Sequence, residues 1–206
     1  MHDDTLSVFI TNLGKYNEGE LVGDWLGLPT DYETLHETLK NIGIGGRYEE
    51  WFITDYECSI SGMTDYLGEY ENLDELNYMA ELIDECSKYD EEKLEAVLDY
   101  ESPRGASSVI EIIMNLDDYS FYSDIKNDED LGWCYIEELD ALDVPEHLRN
   151  YIDYEAYGRD VRFNTDGNFT SYGWVEDTTS GHHSQSYDGL DDIPDEYIIT
   201  RKVDDE

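Results

Sequence analysis

The sequence predicts an α+β protein made of three small domains in a row, and three observations predict it. Two runs rich in β-branched and aromatic residues, 6–13 and 48–57, bracket a capped helical pattern. Three helical patterns follow one another between 72 and 116. Helical and strand-like runs are then mixed through the remainder. The expected parts are an N-terminal α/β sheet unit over 1–68, a central helical unit over 69–116 and a C-terminal α+β unit over 117–206.

LSVFITNL (6–13) and YEEWFITDYE (48–57) read as strands. Between them Thr30-Asp31-Tyr32-Glu33 reads as a capping box after Pro29. Leu35, Leu39 and Ile42 then recur at helical spacing, and Gly43 sits where a C-terminal cap belongs. GIGG (43–46) is therefore a helix stop, because a dinucleotide fingerprint would follow a strand. Asn72 with Glu75 caps a helix with the face Leu76, Met79, Ala80, Ile83 and Cys86. Asp90 starts a shorter helix carrying Leu94, Val97 and Leu98. After the break at Pro103-Arg104-Gly105, Ser108 with Glu111 caps a helix bearing Val109, Ile112, Ile113 and Leu116. All these faces read as core. The last segment reads as helices at 130–141 and 145–156 and strands around 169–176 and 196–203. TTSGHHSQSYDG (178–189) has the composition of a long mobile loop.

Charge narrows the function. The chain carries 52 Asp+Glu against 12 Lys+Arg, a net charge of −40 over 206 residues. Such charge is a signature of disorder, but disordered acidic chains lack the 18 Tyr and 4 Trp present here. Residues 1–68 carry −10, 69–116 carry −11 and 117–206 carry −19, so the folded body itself is the polyanion. Contact with nucleic acid or an anionic membrane surface is opposed, and a basic partner is favoured. No apolar run is long enough to span a membrane, and MHDDTL shows no secretory signal. Cys58, Cys86 and Cys134 fit neither a disulfide framework nor a zinc pair, and read as reduced thiols in a cytoplasm.

No catalytic constellation is legible. NLGKYNEGELVGDW (12–25) places Lys15 among glycines, but a phosphate loop needs G-x-x-x-x-G-K-[ST], and here Tyr16 follows the lysine. Glu18, Glu20, Asp24 and Asp31 would repel a phosphate. Of His2, His36, His147, His182 and His183, the last two are adjacent in a Gly/Ser loop, a setting that usually leaves histidines solvated. A calcium loop turning at Gly167 would need acids at Arg162 and Gly173, and one turning at Gly189 would begin at Ser184 and end at Asp195. No cofactor and no metal site is expected.

The amount of charge is itself informative. Duplex DNA carries two charges per ~3.4 Å of axis, so the net −40 equals roughly 20 base pairs, or about 68 Å. A compact globule of this length has a radius of gyration of about 17 Å. An elongated chain of small domains would relieve the repulsion, because screening acts over ~8 Å. A halophilic surface accounts for the charge equally well, and the six lysines suit it.

NLGKYNEGELVGDW, DYE (55–57) and VPEHLRNYIDYEAYGRDV (144–161) resemble the ArdA antirestriction family. The middle helices agree in pattern, and 177–192 resembles an insertion relative to shorter members. The resemblance implies an elongated homodimer of three-domain chains that mimics DNA and occupies the DNA groove of type I restriction–modification enzymes. Two chains would carry the charge of roughly 40 base pairs. It also implies a structural task for Lys15, in the turn after the first strand. The family's antirestriction motif resembles WCYIEELDALDVPE (133–146), which reads as a helix with apolar Trp133, Ile136, Leu139 and Leu142, either core or dimer seam. Glu137, Glu138, Asp140, Asp143 and Glu146, with Asp153, Glu155 and Asp160 in the following motif, are the candidate partner-binding acids. The alternative reading is an acidic binding module or chaperone for another basic DNA-binding protein. An enzyme of a salt-rich cytoplasm comes third.

Overall fold

The computed structural model describes residues 5–202 and is mixed α+β, with two small antiparallel sheets. The chain divides into two compact units. One takes the described residues up to Glu91, Ser102–Met114 and those from Gln185 on; the other takes Glu92–Glu101 and Asn115–Ser184. His2 lies outside the described residues.

In the first unit, β1 (Leu6–Asn12) is the middle strand, paired antiparallel with β2 (Gly23–Leu28) and β3 (Trp51–Cys58). Leu6, Val8 and Ile10 alternate along β1 and are fully buried. β2 was not expected from the sequence: its glycines disguise the alternation, and pairing with β1 overrides weak propensity. Asn12 joins three pieces of this unit. Its side chain accepts from the Lys15 N–H (3.0 Å), capping the short helix α1 (Leu13–Asn17), and donates to the Ile42 carbonyl (3.0 Å). Lys15 thereby lies in α1, with its ammonium beside Gly43 at the C-terminal end of α2 (Tyr32–Asn41), where a cation is favoured. The cap of α2 is Asp31, which accepts from Thr34, so the expected box is shifted by one residue. Gly43 does take the left-handed conformation that ends a helix (φ 86°).

Asn72 caps α3 (Leu73–Asp84) as expected, and Leu76, Met79, Ala80 and Ile83 are buried; Cys86 lies beyond the helix end. The next helix, α4 (Lys88–Glu101), is longer than expected. Ser87 Oγ accepts from the Asp90 N–H, so Asp90 stands inside the first turn. Helix α5 (Gly105–Met114) starts three residues before Ser108, because the Glu71 carboxylate accepts from the Ala106 N–H (3.1 Å) and supplies the cap from elsewhere in the chain. Leu116 is buried as expected, whereas Ile113 is only half-buried.

The expected strand at 196–203 does not form among the described residues. The Ile199 and Thr200 N–H groups donate to the buried Asp74 carboxylate (2.7 and 2.9 Å), leaving them no strand partner. Residue 203 lies outside the described residues.

In the second unit, β6 (Trp174–Asp177) lies between β4 (Tyr119–Tyr122) and β5 (Gly167–Phe169). The expected strand 169–176 is thus two strands joined by a turn. Ile125, Leu131, Cys134 and Trp174 form a core cluster. Helix α6 (Asp128–Trp133) runs on as a π-helical turn, Cys134–Glu138. The expected helix 145–156 is a 3₁₀ turn, Glu146–Tyr151, followed by α7 (Tyr154–Asn164), with Asp153 as its cap.

Candidate partner-binding surface

Many of the described carboxylates are held by neutral donors. With 12 Lys+Arg for 52 acids, cations cannot orient many of them, but tyrosine hydroxyls and backbone N–H groups do. In the second unit Tyr119 donates to Glu101 (2.9 Å), Tyr135 to Glu176 (2.8 Å) and the Ser171 N–H to Asp99 (2.7 Å). In the first unit Tyr187 donates to Glu75 (3.0 Å), and the Ser186 and Tyr187 N–H groups donate to Glu111. A neutral donor fixes the direction of a carboxylate and leaves its charge in place, whereas an ion pair cancels it. Burial first, and the bonded carboxylate second, push the Tyr119 and Tyr135 hydroxyls far above their ordinary range, so both remain neutral donors at physiological pH. The abundance of tyrosine was the sequence signal for this arrangement.

The candidate acids fall into two groups. Glu137 is half-buried and engaged by both Arg149 and Tyr154. Glu138, Asp140, Asp143, Glu146, Asp153, Glu155 and Asp160 are exposed. Asp153 also accepts from the Ala156 N–H (3.0 Å), so it orients α7 as well. The apolar set splits too. Ile136 is core (1 % exposed), whereas Trp133, Leu139 and Leu142 are 48, 49 and 44 % exposed. Phe121, Asp124, Asp130, Trp133 and Glu138 help to line a cleft of about 400 Å³.

Sequence reasoning missed the role of His183. His182 is exposed, but the His183 ring stacks on Tyr119 (centroids 5.1 Å apart) with Nδ1 3.1 Å from Asp118 and Nε2 3.1 Å from Asp177. Both nitrogens face carboxylates, so the imidazolium, which donates from both, is the form that fits. Burial pulls the imidazolium down, but the Asp118 hydrogen bond and the Asp177 charge outweigh it and hold the pKa above the ordinary 6.5. Stability gained from a raised pKa is complete below the unfolded value and is lost as pH rises through the folded one. We therefore expect His183→Gln to cost about 1 kcal/mol at pH 5.5 and much less at pH 8.5, since the site is partly exposed. Urea midpoints of both proteins at the two pH values measure it. Equal losses at both would show that the ring only fills space. Among the described residues, no group of three or more His, Cys, Asp or Glu is placed to hold a metal ion.

No helix among the described residues is long and apolar enough to cross a membrane. No curated protein matches the chain. A family model described as antirestriction protein (ArdA) matches residues 8–176, ending within β6.

Proposed function

The chain belongs to the ArdA antirestriction protein family, and from that premise we propose that it inhibits type I restriction–modification enzymes by standing in for their DNA. In this reading an elongated homodimer lies in the DNA groove of the methyltransferase core and acts by occupancy, with no covalent chemistry. One observation carries it: carboxylates in both units are aimed by neutral donors, so charge is retained and direction is fixed. A surface that must present negative charge at set positions needs this combination, because a flexible acid loses freedom when it binds and a paired one has no charge to offer. Halophily asks only for solvated acids and gives no reason to orient them. Trp133, Leu139 and Leu142 are apolar and exposed in the single chain and are assigned to the dimer seam, with Ile136 behind them in the core. The exposed acids from Glu138 to Asp160 then form part of the partner-facing surface.

The test is competition. A labelled duplex carrying the recognition site is bound to a type I methyltransferase core, and the protein is titrated in at ~0.15 M salt. Full displacement is expected, with the midpoint rising in proportion to the DNA concentration. Displacement from an unrelated basic DNA-binding protein, with none from the core, would favour the chaperone-like alternative.

A further inference from the structure

In the first unit, three aromatic rings form a strip that reaches the surface. Tyr16 of α1 meets Phe52 of β3 edge-on (5.2 Å), and Phe52 is stacked with Tyr70 (6.2 Å). Phe52 is core, 6 % exposed, but Tyr16 and Tyr70 are 52 and 71 % exposed. The backbone keeps carboxylate-bearing residues close. Glu50 lies two residues before Phe52, and the Glu69 carbonyl accepts from the Ile53 N–H (2.9 Å) beside it. Glu20, Glu49, Glu50 and Glu69 are all exposed. Large exposed aromatics flanked by acids suit a cation, which gains from the ring face and the carboxylate together.

The same unit already holds cations in this way. The Arg47 guanidinium lies over the Tyr48 ring (5.2 Å) while it donates to Glu18 (2.7 Å). The Lys202 ammonium lies over Tyr32 (5.4 Å) with Glu33 at 3.2 Å. Among the described residues, no lysine or arginine is placed over Tyr16, Phe52 or Tyr70. With so few cations in the chain and so much negative charge around the strip, a cation from another protein is the complementary occupant.

We infer that the Tyr16–Phe52–Tyr70 strip is a docking site for arginine side chains of a basic protein partner. Arginine is favoured over lysine because its planar, weakly hydrated guanidinium stacks on a ring and still donates to a neighbouring carboxylate. The inference deepens the reading of the chain as a ligand for a basic groove. Charge alone attracts lysine and arginine alike, whereas the rings distinguish them.

The test uses the full chain with ¹³C-labelled tyrosine rings, titrated by NMR with acetyl-triarginine amide and acetyl-trilysine amide at ~0.15 M salt. The Tyr16 and Tyr70 signals are expected to shift saturably, with triarginine bound about five- to tenfold more tightly than trilysine. Tyr16→Leu with Tyr70→Leu, which keeps the apolar bulk and removes the ring faces, should abolish that preference. Equal affinities in the parent protein would overturn the inference, as would a preference that survives in the double variant. A lower sedimenting mass for the variant would also overturn it, by showing that a second copy covers the strip. Failure to displace DNA from the methyltransferase core, with the arginine preference intact, would sink the antirestriction reading and leave the strip standing.

Discussion

Gly158→Ala is expected to destabilise the unit containing α6 and α7 by about 3 kcal/mol or more, the upper range for an overpacked core. A Cβ at Gly158 would lie 1.8 Å from the Asp128 carbonyl oxygen and 2.6 Å from the Gly132 nitrogen. The relation is mutual, because a Cβ at Gly132 would lie 1.9 Å from the Tyr154 carbonyl oxygen. These are backbone atoms, so no side chain can turn aside and the two helices must separate. Separation would strain the bonds that bridge them, Arg162 to Asp128 (2.7 Å) and Tyr154 to Glu137 (2.6 Å). The sign of the effect is decisive. In an open helix, replacing glycine by alanine stabilises by about 1 kcal/mol, so a loss can come only from the crossing. Urea denaturation of Gly132→Ala and Gly158→Ala, with Gly46→Ala as control, measures this. Nothing lies within 4 Å of a Cβ at Gly46, so that variant should match the parent within a few tenths of a kcal/mol. A stabilised Gly158→Ala would mean that the helices do not cross this closely.

The crossing also gives part of VPEHLRNYIDYEAYGRDV a physical meaning. Asp153 caps α7, Tyr154 holds Glu137, and Gly158 lets α6 approach. None of that was legible as geometry, although the stretch stood out as a motif. The same contrast runs through the fold. Helix α3 was readable because its cap and its apolar period lie within one short window. The start of α5 was misplaced because its cap, Glu71, comes from 35 residues away. The segment 196–202 has strand-like composition, yet Asp74, far upstream, takes its donors. In both misread segments a distant carboxylate did what sequence patterns assign to neighbours, and a chain with 52 acids offers many such partners. The candidate surface was legible only as composition for the same reason. Which acids are aimed, and by which tyrosine, depends on contacts such as Tyr187 to Glu75, 112 residues apart.

The second large effect is cumulative. Neutralising a single exposed acid, as in Glu138→Gln or Asp143→Asn, is expected to weaken inhibition less than about fivefold, since an exposed charge contributes about 0.2–1 kcal/mol. Ten such changes together should weaken it by about 2–10 kcal/mol, at least thirtyfold, and progressively as they accumulate. Two features of the molecule support this form of response. The charge is divided over the chain as −10, −11 and −19, so no single patch dominates the field. The candidate acids other than Glu137 are exposed, where water replaces much of what each one loses. Raising the salt should weaken the parent protein more steeply than the tenfold variant, because the variant has fewer charges left to screen. Glu137 is the instructive exception. It is half-buried beneath Arg149 and Tyr154, so Glu137→Gln leaves Arg149 only the exposed Glu146, 3.7 Å away, and acts through folding before it acts through binding. Titrating inhibition for single and cumulative variants at two salt concentrations, with urea stability measured alongside, separates the two routes. If neutralising one exposed carboxylate abolished inhibition in a fully folded protein, the binding energy would reside in a discrete site and the distributed mimic would be wrong.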